Sequence, residues 1–370
     1  MIKFTVTMRV RRSVILCTAV LLSCLLGGCG SSSNVAKIDR LFKKWDNSAM
    51  PGLVVGIVHE DSLIYSKGYG AANLERKIPN TANSIYYMCS LSKQFTAYSI
   101  VLLARQGKLK FDDDIHQYLP WMADFGRKIT IRNLLNHTSG IRDDISLADE
   151  SGLFSRKGSQ GILTQQLALE MLRKEHALNF DPGEKWSYSN SNFVLLAEIV
   201  RVVSGQSFES FTRDSIFRPL RMTRSCFTGD SQQLARDRAL SYRETNSGFV
   251  YQPQQVYTLG DGGLFTDLTD MVHWVSNFYN PRVGDKKDID QLTENGKLNN
   301  GTEINYAFGI VSNRSRGYRR FIHGGSLSGY RTSIAIYPDL KMGFIIFSNA
   351  GDDQIVRKMD QLAELFIPEK

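Results

Sequence analysis

Cysteine is scarce in this chain: five in 370 residues, at positions 17, 24, 29, 89 and 226, so that beyond residue 29 only Cys89 and Cys226 remain. That excludes a disulfide framework. Cys89 sits in the apolar run Ile85–Tyr86–Tyr87–Met88–Cys89 with no histidine nearby in sequence, and reads as a core thiol before it reads as a nucleophile. No long apolar stretch is present either; Val14 to Leu26 is too short for a comfortable membrane span. A strong charge of one sign is missing as well. The four basic residues Lys3, Arg9, Arg11 and Arg12 account for half of the net +8, and the rest is dispersed among acids, which is no nucleic-acid footprint. There is no internal repeat. Asp112–Asp113–Asp114 lacks the further ligands and the spaced glutamate of an EF-hand, and reads as a turn and helix start. With 42% hydrophobic and 22% charged residues, the chain can bury a large core in one large domain or two intimate ones.

The basic start and short apolar run make residues 1–28 a secretory leader, and Met8 opens a compact version of the same signal. Its end, Leu26–Gly27–Gly28–Cys29, resembles the lipobox of bacterial lipoproteins, which implies a diacylglyceryl group on Cys29 and a membrane anchor. Gly30 to Asn34 reads as a flexible tether within residues 29–37. By the same resemblance, glycine after the cysteine favours the outer membrane of a Gram-negative cell over the inner one.

Ala36 to Trp45 predicts an amphipathic helix. Leu53–His59 and Leu63–Ser66 predict a hairpin, with turns at Gly68, Gly70 and Pro79. A helix follows Ser90 as far as Gly107, and a capped helix spans Ile129 to Ile141, ending at Gly140. Arg142 to Gly161 reads as a polar loop. Helices are expected at Gln165–Lys174, Phe193–Val203 and Ser207–Phe217. Strand patterning returns in Tyr306–Val311, Arg320–His323, Tyr330–Tyr337 and Met342–Phe347, before a closing helix at Gln354–Phe366. Strands at both ends with helices between them imply an α+β fold whose sheet is built from both termini, with an all-helical region inserted.

Three constellations carry chemistry. Ser90–Leu91–Ser92–Lys93 sets a hydroxyl three residues before an amine, on one face of a helix, where a desolvated amine can take the serine proton. The pattern recurs by chance about once or twice in a chain this long. Taken alone, it reads equally as a serine N-cap and a solvated first-turn lysine. Tyr188–Ser189–Asn190 offers a phenol that relays protons beside an ammonium and an amide that orients lysine and substrate; the plain alternative packs Tyr188 on Trp186 and caps a helix with Asn190. His323–Gly324–Gly325–Ser326 places paired glycines on an apolar strand, which suits close approach of backbone or ligand. There Ser326 N–H would join Ser90 N–H in an oxyanion hole, and His323 would supply a hydrogen bond or a charge. The alternative is a β-bulge with a satisfied histidine. The Gly-x-Ser-x-Gly elbow of α/β-hydrolases fails here, because Leu327 is central between Gly325 and Gly329.

In the order Ser-x-x-Lys, Tyr-x-Asn, His-x-Gly, these motifs resemble the serine β-lactamase and penicillin-binding-protein family, best its class C β-lactamase-like branch. The resemblance covers about residues 38 to 366, including Asn136–Gly140, Pro182–Asn190 and Gly262–Gly263–Leu264. It implies a β-lactamase/transpeptidase-like domain over 38–370, an antiparallel sheet flanked by helices and joined to the helical region. It implies acylation of Ser90, proton handling by Lys93 and Tyr188, substrate contacts from Asn190, His323, Gly325 and Ser326, and no metal or other cofactor. Implied substrates are D-amino-acid peptides, including peptidoglycan-derived ones, esters or β-lactams; implied alternatives are a class C-like β-lactamase proper and a catalytically weak lipoprotein that binds cell-wall peptides. Many β-lactamases carry lysine at the position of His323. Histidine there resembles the carboxypeptidases, D-amino-acid peptidases and esterases of the family. With an unperturbed pKa of ~6.5 it is expected to be partly charged at neutral pH and to bind a carboxylate more weakly than lysine does.

Overall fold

Seven consecutive residues, Leu53–His59, form β1, buried everywhere except at His59, as the strand at the middle of a sheet covered on both faces must be. It turns through Glu60 into β2, Ser62–Tyr69, whose alternating exposure marks a sheet edge. The computed structural model describes residues 28–155, 161–229 and 238–370. The remaining strands of the sheet come from the far end of the chain: β3 Val311–Ser315, β4 Tyr318–Leu327, β5 Tyr330–Tyr337 and β6 Met342–Ser348. The order is β3-β4-β5-β6-β1-β2, antiparallel throughout, with Leu53 opposite Ser348 and His59 opposite Met342. This is the α+β sheet from both termini that the apolar patterning predicts.

The chain divides into two units, residues 1–41 and 42–370. α1 runs from Gly28 and ends at Phe42, the first residue of the second unit, where a 3-10 turn over Lys43–Trp45 follows. Gly30–Asn34, read above as a tether, is therefore helical. Serine carries only a small helix penalty and no proline interrupts the segment, so helix extends back from Val35. The leader, apart from Gly28, lies outside the described residues, and of the Cys29 side chain the structure says nothing.

In the second unit the helices are α2 Ser92–Arg105, α3 Ile131–Leu135, α4 Asp144–Glu150, α5 Gln165–Arg173, α6 Asn190–Ser204, α7 Phe208–Thr212, α8 Leu268–Asn277, α9 Lys286–Thr293, α10 Asp353–Arg357 and α11 Met359–Glu364. Ser92 to Leu103 are all buried, so α2 runs through the core and carries no solvent face. Phe95 stacks on Trp274 of α8 at 4.1 Å between centroids, and the indole N–H donates to Gln94 Oε1 at 2.9 Å. α8 lies on β1, where a Cβ on Gly56 would come within 2.4 Å of Leu268 Cδ1. Ahead of α2, Tyr86–Tyr87 pairs with Leu264–Thr266, which also pairs with Cys226–Phe227.

Five expectations of secondary structure are corrected. The helix predicted over Ile129–Ile141 is one short turn-and-a-half, α3, capped by Thr130; beyond Leu135 the backbone leaves the helix, with His137 and Gly140 at φ +57° and +77°. The polar loop from Arg142 contains α4, capped by the Asp143 carboxylate; residues 156–160 of that loop lie outside the described residues. Tyr306 to Ile310 is irregular, and strand begins only at Val311: the carbonyls of Tyr306 and Ala307 accept from Asn136 Nδ2, that of Tyr306 also from Gly296 N, and Ala307 N–H turns back to Ile310 O. The closing helix is two, α10 and α11, and Ser207–Phe217 is α7 followed by a π-helical turn over Arg213–Phe217. Of the aspartate run, Asp114 caps a short turn and Asp112 pairs with Arg132, as a turn and helix start would have it.

Candidate active site

Ser90 lies in a three-residue 3-10 turn, Cys89–Leu91, between the Tyr86–Tyr87 strand and α2. Cys89 takes φ +51°, uncommon outside glycine, and its side chain is buried with its thiol pushed far up by burial. The Ser90 hydroxyl caps no helix. It accepts instead from Lys93 Nζ at 3.2 Å, which decides between the two readings of that motif.

Lys93 is fully buried. Its ammonium also donates to Asn190 Oδ1 and to the carbonyl of Asp261, each at 2.9 Å, and lies 4.9 Å from the ring centroid of Tyr188. Two carbonyls thus claim two of its hydrogens and leave the third position to Ser90. Asp261 is brought there by a loop tied to the start of α2: Thr96 Oγ1 donates to Gly260 O at 2.7 Å and Leu264 N to Ser92 Oγ at 3.2 Å.

Asn190 opens α6, whose N-cap position is Ser189, so Asn190 is not the cap foreseen as its alternative role. Asp143 Oδ2 accepts from the Asn190 backbone N–H at 2.6 Å and from its Nδ2 at 3.0 Å, which points Oδ1 at the lysine. Tyr188 is exposed, and its ring lies against His137 at 4.3 Å. Trp186 also turns its ring to His137 and Tyr306, so the pairing of Tyr188 on Trp186 is not what holds either.

Ser90, Tyr188, His323, Gly324, Gly325 and Ser326 line one cavity of about 480 Å³. Arg331, Asp353 and Arg357 line its other side. The third motif lies within β4, whose register with β5 runs unshifted from Phe321 to Leu327, so there is no bulge. Gly325 is glycine because the Ser90 turn presses on it: a Cβ would sit 2.5 Å from Met88 O, 2.5 Å from Thr332 Oγ1 and 2.8 Å from Cys89 Cβ. Thr332 Oγ1 donates to Met88 O at 2.9 Å and fastens the sheet to that turn.

His323 departs from expectation. Burial, helped by the Lys93 ammonium, pushes its pKa down to about 4, so at neutral pH the ring is uncharged. Nδ1 faces Gly324 O at 2.7 Å and Nε2 faces the Tyr306 hydroxyl at 3.1 Å. Behind the lysine, burial raises the carboxyls of Asp144 and Asp261, the latter despite the ammonium beside it. Asp144 Oδ2 and Asp261 Oδ1 have no partner among the described residues.

Asp143, His137, Tyr306 and Asp261 were not singled out from the sequence as site residues. Asp143 had a signal, an aspartate just before a short apolar-periodic run, the mark of an N-cap. Tyr306 had none, being one aromatic in an apolar stretch. A larger groove of about 720 Å³ between α5, α6 and α7 is lined by none of the residues of the three motifs.

A six-stranded antiparallel sheet whose β4 faces a serine-bearing turn, followed at once by a buried helix that carries the lysine, is the β-lactamase/transpeptidase fold. Residues 38–366 match the family model described as Beta-lactamase, and the chain belongs to that family. It is 32% identical over 311 residues to "Penicillin-binding protein 4*" of Bacillus subtilis, covering 79% of this chain and 66% of the relative. To a D-aminopeptidase of Brucella anthropi it is 28% identical over 317 residues, covering 85% and 59%. The chain thus spans about three-fifths to two-thirds of the length of these curated relatives. A penicillin-binding protein homologue from Pyrococcus abyssi matches its structure with a TM-score of 0.75 at 25% identity, over 89% of this chain and 76% of that one.

Proposed function

We propose that the protein is an extracytoplasmic serine acyl hydrolase that acts through an ester-linked acyl-enzyme on Ser90. The observation that carries the reading is the buried Lys93 amine 3.2 Å from Ser90 Oγ, with its other two hydrogens held by Asn190 and Asp261. With two of its hydrogens held this way, the amine, once it has given up its third proton, turns its lone pair to Ser90 and takes the hydroxyl proton as Oγ attacks a carbonyl carbon. The backbone N–H groups of Ser90 and Ser326, on the same cavity, receive the developing oxyanion. Tyr188, open to solvent above the lysine, passes the proton to the leaving group; water then attacks the ester by the same route in reverse and frees Ser90.

Substrates are D-amino-acid peptides or esters ahead of β-lactams, an order supported by the neutral His323 and by the similarity to a D-aminopeptidase. A diacylglyceryl Cys29 anchors the protein to a membrane, a reading that rests on the leader pattern. Among the described residues no helix is long and apolar enough to cross a membrane.

A fluorophosphonate or fluorescent penicillin should label the protein covalently, and Ser90→Ala should abolish the label; labelling that survives the substitution sinks the assignment. Efficient nitrocefin hydrolysis would reverse the substrate order. Cys29→Ala should move the protein from the membrane to the soluble fraction, and retention at the membrane would refute the anchor.

A further inference from the structure

One phenol joins two buried imidazoles: Tyr306 Oη lies 3.2 Å from His137 Nε2 and 3.1 Å from His323 Nε2. The place of every proton in this chain follows from its two ends. At one end the Ser189 backbone N–H can only donate, and it reaches His137 Nδ1 at 3.3 Å, beside Asn192 Nδ2 at 3.1 Å. Nδ1 therefore carries the lone pair. Burial and the Lys93 ammonium hold His137 uncharged, so its proton is on Nε2 and is donated to Tyr306. At the other end Gly324 O can only accept, so His323 Nδ1 carries the proton and Nε2 is bare. The Tyr306 hydroxyl satisfies both demands, accepting from His137 and donating to His323.

Both nitrogens of His323 are then used inside the protein, although the ring lines the cavity. The neighbouring cations are also committed or exposed to water. Lys93, facing from α2, is taken by Ser90, Asn190 and Asp261. Arg331 is held by the Asp353 carboxylate and by the carbonyls of Ser328 and Tyr330, both at 2.8 Å. Arg357, on α10, is exposed, where its charge is screened by water. Tyr188, across the cavity, completes the set of titratable groups around the ring.

We propose that His137–Tyr306–His323 is a specificity device that strips the β4 wall of any cation or free ring N–H, so that the site selects substrates ending there in a neutral amide or ester over those ending in a carboxylate. Tyr306 and His137 are positioning residues in this scheme, acting through His323. The inference rests on the acyl-hydrolase reading above.

The test compares two acyl-D-alanyl-D-alanine substrates, identical except that one ends in a carboxylate and the other in a carboxamide. The carboxamide should be preferred by at least about tenfold in kcat/KM at pH 7.5, chiefly through KM. In Tyr306→Phe, His323 loses the donor that favours its neutral form. The ring can then turn an N–H to the substrate, so the preference for the carboxamide should narrow at pH 7.5, chiefly through a lower KM for the carboxylate substrate. A further fall of that KM on approach to about pH 4 stays common to parent and variant, because burial and Lys93 still hold the ring neutral above it. His323→Lys, which puts an ammonium on the β4 wall, should reverse the preference. Equal use of the two substrates by the parent, or an unchanged ratio in both variants, overturns the proposal. So does a carboxylate preference that vanishes in Arg357→Gln, which would put the receptor on α10. Fluorophosphonate labelling in parallel separates the two levels: a labelled enzyme without the preference overturns the device alone, while no labelling and no cleavage of either peptide overturns both.

Discussion

Asp143 serves two helices with one carboxylate. Oδ1 accepts from Ser146 N at 3.0 Å and caps α4, while Oδ2 takes the first N–H of α6 and the Asn190 amide. Asp143→Ala should cost about 1–2 kcal/mol through the lost caps. It should also lower acylation about 10- to 100-fold, by freeing the amide that faces Lys93. Asp143→Asn should recover much of the stability, since its carbonyl still caps α4, but little of the activity, since its own N–H₂ would oppose the Asn190 donors. Thermal melts beside acylation rates check the split; parallel recovery of both would show that Asp143 is only a cap. Ser90, Lys93, Tyr188, Asn190, His323, Gly325 and Ser326 were legible because each belongs to a short motif, and the fold brings them to one place. Asp143, Tyr306 and Asp261 were not, because they act on residues distant in sequence and through backbone as much as side chain.

At the scale of elements, β4 meets the Ser90 turn with no space for a side chain at Gly325. Gly325→Ala should cost about 1–3 kcal/mol as an overpacked site. Because the strain falls on Met88 and Cys89, next to Ser90, kcat should drop more than KM rises. Urea melts and steady-state kinetics test this, and a variant with parent stability and parent kcat would show that the turn yields freely. β1 and β6 were readable because they are apolar over nearly their whole length, as buried strands are, and α2 through the near-helical recurrence of its apolar residues. Elements held by single caps or by irregular contacts were not: α4 lies in a polar stretch, and the backbone of 306–310 is met by Asn136, Gly296, Leu292 and its own tight turn and not by the main sheet.

For the whole molecule, buried titratable groups pull stability in opposite directions with pH. His137 and His323 have pKa values lowered by burial, so the unfolded chain takes up protons that the native state refuses. Their contribution is complete above about pH 6.5 and is lost as the pH falls toward about 4. Asp144, Asp261 and Asp270 have raised values, and theirs is complete at low pH and lost as the pH rises through the native values. Between about pH 4.5 and 6, His137→Asn should lower the slope of unfolding free energy against pH by about 1.4 kcal/mol per unit, and Asp144→Asn should raise it by about as much. Urea melts across that range measure both; slopes parallel to the parent would mean that neither group titrates differently in the two states.

The sheet sets an order of events in time. β1 pairs with β6, the last strand to be made, from Leu53–Ser348 to His59–Met342. A chain leaving a ribosome or a translocation pore therefore holds this apolar strand without that partner until Ser348 has emerged. Such long-range closure is slow and exposes a strand edge to other chains while it waits. A carrier that keeps β1 covered during that interval would matter to this protein more than one that acts on the finished fold.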